Sequence, residues 1–203
     1  MSSENTRVFE CFKVGDHINM AGQTMTWTGH DLEAVCMNYQ RRADRAPLVI
    51  GHPASNGPAF GEVGELFSRR GRLYAVSEVG QQLINFVREG RFKHVSASFE
   101  RIAGWPGWCL RHIGFLGAMP PAVKGLAPLA FAEMSQPPNT VCFSESTGQG
   151  IAPPPLLSIP AGWNVTQEGW ALYLKARDVQ AACPDMSFAE AASLAERYTF
   201  VSP

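Results

Sequence analysis

The period of apolar and polar residues changes several times along the chain, and each change marks an element. Val8–Val14 alternates as a half-buried strand does. Ile18–Thr28, broken at Ala21-Gly22, reads as a β-hairpin with its turn at the glycine. Thr28 then stands where a helix cap belongs, with Leu32, Val35, Cys36 and Tyr39 recurring on one helical face. Pro47 ends any continuation. Leu48-Val49-Ile50 reads as a buried strand running into Gly51-His52-Pro53. Phe60–Phe67 and Leu73–Val76 flank Arg69-Arg70-Gly71-Arg72, a second hairpin signal. The stretch from Gly80 to Glu89 predicts a helix that buries Leu83, Ile84 and Val87 and stops at Gly90. Phe92–Ile102 and Trp108–Leu116 are two strands joined by a Gly-Trp-Pro-Gly turn.

Beyond this mixed α and β block the composition shifts. From Gln136 to Pro160 proline pairs, a proline triplet and a Ser/Thr/Gly run replace periodicity, which is a linker composition. Gln167–Ala182 is again helical in period, Pro184 breaks it, and Ser187-Phe-Ala-Glu190 is a capping box opening a last helix. The expected organisation is a domain over 1–133, a Pro-rich linker over 134–162 and a helical tail over 163–203. No internal repeat is visible.

Composition narrows the function without choosing one. The 203 residues are 45% apolar, enough for a packed core. Seventeen Lys and Arg oppose eighteen Asp and Glu, a balance that argues against a nucleic-acid surface or a polybasic membrane patch. No apolar run reaches the length of a membrane span, and the first residues carry no secretory apolar segment. The five cysteines are odd in number, widely spaced and lack a Cys-x-x-Cys pair, so they read as core residues in a reducing compartment. Cys109 and His112 have metal-like spacing but face opposite sides of a strand, so no metal and no cofactor is expected.

Three features can carry chemistry together. His52 sits where an apolar strand leaves the core. In His94-Val95-Ser96-Ala97-Ser98-Phe99 the alternation turns Val95, Ala97 and Phe99 one way and His94, Ser96 and Ser98 the other. His112 lies on the neighbouring strand, within reach across an antiparallel pair. A serine becomes a nucleophile when a base takes its proton, and the base works best when a third group fixes its ring. With His52 as base and His112 as orienter, that third group is an imidazole instead of a carboxylate, which stabilises the imidazolium less. Spacing alone leaves Ser96 and Ser98 both open as the nucleophile. His17 and His30 receive no role, the Arg69–Arg72 tip reads as solvated charge, and Arg41, Arg42 and Arg45 read as the polar end of their helix. Gly114, Gly117 and the loop from Pro120 to Gly125 follow His112 and are candidate oxyanion donors, outside the catalytic set.

These segments resemble a known family. Leu48-Val49-Ile50-Gly51-His52-Pro53 followed by Gly61-Glu62-Val63 is similar to the strand, histidine and Gly-x-Val pattern of phage prohead maturation proteases. Phe92–Phe99 resembles their serine strand and the His-Val-Ser segment of herpesvirus assemblins. Leu110-Arg111-His112-Ile113-Gly114-Phe115-Leu116-Gly117 through Leu126 looks most like the Mu-like phage proteases, the I-protein family. The likeness runs from about Phe12 to Glu133. It implies an α+β fold with a strand-rich, barrel-like protease domain, flanking helices and a short helical tail. It implies Ser96 as nucleophile, His52 as general base and His112 as third member, with Ser98 second in line. It further implies a serine endopeptidase that cleaves scaffold and major capsid protein, and its own C-terminal region, within the phage procapsid in the bacterial cytoplasm. Partners would then be those proteins and a second copy of the chain. The competing expectation is a non-catalytic scaffolding or capsid-associated protein of the same fold, favoured by a tail shorter than that family's scaffold segment.

Overall fold

In a computed structural model of the chain, residues 5–19, 22–53, 57–118, 122–127, 129, 131 and 166–199 are described. The chain divides into two compact units between Phe131 and Ala132. The linker expected over 134–162 lies outside the described residues, as do both ends of the expected tail.

The first unit holds eight strands and two helices: β1 (Thr6–Lys13), β2 (Gly15–Ile18), β3 (Thr24–Trp27), α1 (Gly29–Gln40), β4 (Leu48–Ile50), β5 (Gly61–Arg69), β6 (Arg72–Val79), α2 (Gln81–Arg88), β7 (His94–Glu100) and β8 (Cys109–Leu116). They form a β1-β6-β5 sheet, a β2-β3 hairpin and a β4-β8-β7 sheet. The β5–β6 turn falls at Arg70-Gly71, both at positive φ (47° and 73°), the left-handed pair that a two-residue hairpin turn requires.

The sheets do not close into a barrel, which corrects the barrel-like expectation. Where β4 approaches β5, Phe60 N donates to the Leu48 carbonyl and Val63 N to that of Ala46, but pairing stops at one bridge between Pro47 and Glu62. Proline has no N–H to extend the ladder. At the other seam β1 meets β7 and β8 through rings instead of backbone bonds. Phe12 packs edge-on against Phe99 with centroids 4.9 Å apart, and Phe9 against Phe115 at 5.7 Å. The core between the sheets is Leu66, Leu73, Leu83, Ile84, Leu110, Ile113 and Phe115, none more than 1% exposed.

Helix α1 ties the sheets together. The Thr28–Asp31 capping box starts it: Asp31 N donates to Thr28 Oγ1 and Thr28 N to Asp31 Oδ2. Leu32, Val35 and Tyr39 bury its inner face. Tyr39 Oη donates to the Val63 carbonyl on β5 and accepts from Ala46 N before β4. Asn38 Nδ2 donates to the Pro106 and Trp108 carbonyls, anchoring the β7–β8 turn. Arg42, just past the helix end, donates to Glu100 Oε1 and the Leu110 carbonyl, clasping β7 to β8.

The second unit contains α3 (Gln167–Ala182) and α4 (Phe188–Thr199). Ser187 and Glu190 form the expected capping box, with Glu190 N donating to Ser187 Oγ and Ser187 N to Glu190 Oε2. Ala176, Val179, Ala191, Leu194 and Ala195 are buried, and Tyr173 stacks between Trp170 and Phe188.

Candidate active site

The site begins with a parallel pair. Val49 stands beside Gly114 and Ile50 beside Phe115, and Gly51 N continues the pattern by donating to the Phe115 carbonyl. Gly51 then turns at φ 66°, a conformation that favours glycine, and lays its carbonyl and His52 against β8 at Gly114. A side chain at Gly114 would overlap the Gly51 carbonyl oxygen, and its Cβ would stand 3.3 Å from His52 Cε1. The bare position is what lets His52 lie there.

Ser96 is the direct antiparallel partner of Gly114, and Ser98 that of His112. Direct partners share a face, so Ser96, Ser98, His112 and the space over Gly114 lie on one side of the sheet. That space is where His52 stands. Its Nδ1 and His112 Nε2 are 2.8 Å apart. One nitrogen must donate and the other accept. The arrangement with His52 Nδ1–H as donor leaves His52 Nε2 with a lone pair for a serine proton, the tautomer a general base needs. Burial holds the His52 imidazole below the ordinary value of 6.5. His112 is pushed down to about 4, first by burial and then by repulsion from His52 and Arg111. Both shifts favour the uncharged rings, and the shared hydrogen bond excludes only the state in which both are protonated.

A cavity of about 340 Å³ opens beside this pair. His52, Ser96 and Ser98 line it, along with Ala97 and Phe99. His112 lies behind His52, buried to 8% exposure, and is not among the lining residues. The expected serines and histidines are therefore brought together, with His112 in the orienting position. Among the described residues no hydrogen bond joins Ser96 to His52, so the pair shares a cavity without being in contact for proton transfer. His94, two residues before Ser96, does not line the cavity.

Of the oxyanion candidates, Gly114 drops out because β8 is the middle strand and its backbone is committed to ladders on both flanks. Ala122 and Val123 do line the cavity, leaving their loop as the better-placed source of N–H donors. Sequence reasoning missed the cavity's far wall. His17, Ile18, Asn19 and Met25 come from the β2–β3 hairpin, and Trp27 and Trp108 complete it. Nothing local in the sequence signals it, since the hairpin lies some seventy positions from the serine strand. Among the described residues no group of three or more His, Cys, Asp or Glu side chains could hold a metal ion, and no described helix is long and apolar enough to cross a membrane.

No family model matches the chain, nor does any curated protein or solved structure.

Proposed function

We propose that this chain is a serine endopeptidase of the prohead-maturation type, with an assemblin-like fold. The observation that carries the reading is the 2.8 Å hydrogen bond between His52 Nδ1 and His112 Nε2, beside a cavity that His52 shares with Ser96. Support also comes from the resemblance of the three motif segments, in chain order. In the reaction, His52 Nε2 takes the Ser96 hydroxyl proton as Oγ attacks the scissile carbonyl carbon. The tetrahedral intermediate collapses, the C–N bond breaks, and His52 returns the proton to the leaving amine. Water then repeats the sequence on the acyl-enzyme, freeing the acid and restoring Ser96. His112 fixes the His52 ring throughout and acts as a positioning residue. Transfer requires Ser96 Oγ and His52 Nε2 to come within hydrogen-bond reach, and hydrogen bonds of this kind often tighten only with substrate bound.

The substrates on this reading are major capsid and scaffold proteins and the chain's own C-terminal region, during assembly of a phage head. The gap between Ser96 and His52 gives the second reading, a structural capsid-associated protein that keeps the residues without the activity. Co-expression with the capsid protein of the same genome, read by mass spectrometry of fragments, separates the two. Cleavage by the unsubstituted chain that is absent from Ser96→Ala supports the protease. Identical fragments from both, or none from either, overturn the assignment of Ser96. A Ser98→Ala control decides between the two hydroxyls.

A further inference from the structure

The cavity beside Ser96 has two properties that the catalytic reading does not use. The first is its position on the strand. Ser96, Ala97, Ser98 and Phe99 all line it, although successive residues of a strand point to opposite faces. Ser96, Ala97 and Ser98, which precede a bulge at Phe99, include both faces and place the cavity along the strand's edge. β7 is the outer strand of its sheet; its outer flank meets β1 through the Phe99 and Phe12 rings, and among the described residues no strand pairs with that flank by backbone hydrogen bonds. An extended peptide can add to such an edge by main-chain hydrogen bonds, with alternate side chains turned into neighbouring pockets.

The second property is the chemistry of the walls. Phe12, Trp27, Phe99 and Trp108 interlock, with centroids 4.7 Å apart for Phe12–Trp27, 4.7 Å for Trp27–Phe99 and 5.8 Å for Trp27–Trp108. Phe12 and Trp27 are nearly buried, so they form a rigid floor, while Met25, Phe99 and Trp108 are half-buried and can still gain contacts. The polar lining is His17, Asn19, His52, Ser96 and Ser98, and no Asp, Glu, Lys or Arg lines the cavity. His17 Nε2 is already held by the Lys13 carbonyl. A charged side chain entering here loses its water and meets no counter-ion among the described lining residues, Arg101 standing over the Trp108 ring without lining the cavity, which is costly. A large apolar side chain leaves water for aromatic contact, which is favourable.

We propose that this groove takes an extended peptide along β7 whose side chain beside the bond under attack is large, apolar and uncharged, seated against Phe12, Trp27, Phe99 and Trp108. The proposal rests on the protease reading for its chemistry, but binding can be measured without cleavage. The test uses the full chain carrying Ser96→Ala and three capped peptides, acetyl-Ala-Ala-Phe-amide and its Asp and Lys counterparts. Binding is followed through the indole NMR signals of Trp27 and Trp108. The Phe peptide shifts both signals and binds about 10-fold or more tightly than either charged peptide. Asn19→Asp, added to the same chain, is isosteric and sets a carboxylate in the lining, so the Lys peptide gains about 5-fold or more. Charged peptides that bind as tightly as the Phe peptide overturn the proposal, as does the absence of any shift in either tryptophan. Selective binding of the Phe peptide, with no Ser96-dependent hydrolysis of it by the unsubstituted chain, supports the pocket and overturns the protease reading. Ser96-dependent hydrolysis with no preference among the three supports the protease and overturns the pocket.

Discussion

The β1-β6-β5 sheet and the β4-β8-β7 sheet have three strands each but differ in how they are made. In the first, β5 and β6 are consecutive in the chain, joined by a two-residue turn, and β6 is buried at nearly every position. Its one deeply placed acid, Glu10, is held by both carboxylate oxygens on Arg72. In the second, a three-residue parallel strand arrives from a distant segment and β7 is half-exposed along most of its length. Apart from the cavity's aromatic floor, its hairpin wall and the Ala122-Val123 loop, the candidate site belongs to the second sheet or to the turn by which β4 leaves it. Each sheet joins a hairpin to a strand from far along the chain, and the two differ in that the second carries its polar side chains on a half-exposed outer strand. Such edges are where strands are added and where proteins put their chemistry.

The comparison can be broken most severely at His52. His52→Ala lowers the cleavage rate about four orders of magnitude or more and leaves the melting temperature within a few degrees of the parent, since the residue is at a turn. Equal rates in a cleavage assay would remove the base from the account. Leu73→Ala acts on the other sheet. It empties a fully buried position and costs about 2–5 kcal/mol in urea unfolding, while the folded fraction cleaves at the parental rate. Gly114→Ala tests the link between sheet and site. Its added methyl displaces the Gly51 carbonyl and with it His52, for about a 100-fold loss of rate. Circular dichroism of this variant should still report the β1-β6-β5 strands.

The smallest effect is that of pH. Both rings act in their neutral forms and burial lowers both, so the rate holds as pH falls to 6.5 and drops only at lower pH, with its midpoint below the ordinary imidazole value of 6.5. Stability follows the same sign. The unfolded chain binds a proton at His112 near 6.5 and the folded chain only near 4. The contribution is therefore complete above 6.5, is lost as pH falls between 6.5 and about 4, and levels off below. Urea midpoints at pH 7, 5 and 4 measure it, and His112→Asn flattens the profile.

Local pairing was also the easier half to read. The alternation around Arg70-Gly71 and the run Leu83, Ile84, Val87 before Gly90 identify a hairpin and a helix from neighbouring residues alone. The Ser187–Glu190 box does the same for α4. Ser96 and Ser98 were legible as one face from period-two alternation, but His112 joins that face only through a bulge between Ser98 and Phe99, which no local pattern announces. The parallel partner of β8 was not legible, since nothing near Leu48 names a strand some sixty positions away. Nor was the role of Gly114, which depends on the Gly51 carbonyl crossing it. Barrel closure failed for a related reason. Whether Pro47 sits in a ladder or at its end depends on which strand lies beside it.

The central claim is that Ser96 is a nucleophile activated by His52, and a fluorophosphonate tests it with no substrate needed. Such a reagent phosphonylates a serine only where a base takes its proton, losing fluoride and leaving a mass increment that peptide mapping assigns to one residue. The account predicts a single adduct on Ser96, formed at neutral pH, lost in Ser96→Ala and strongly slowed in His52→Ala. An adduct on Ser98, one that persists in His52→Ala at the same rate, or no adduct on the unsubstituted chain would contradict it.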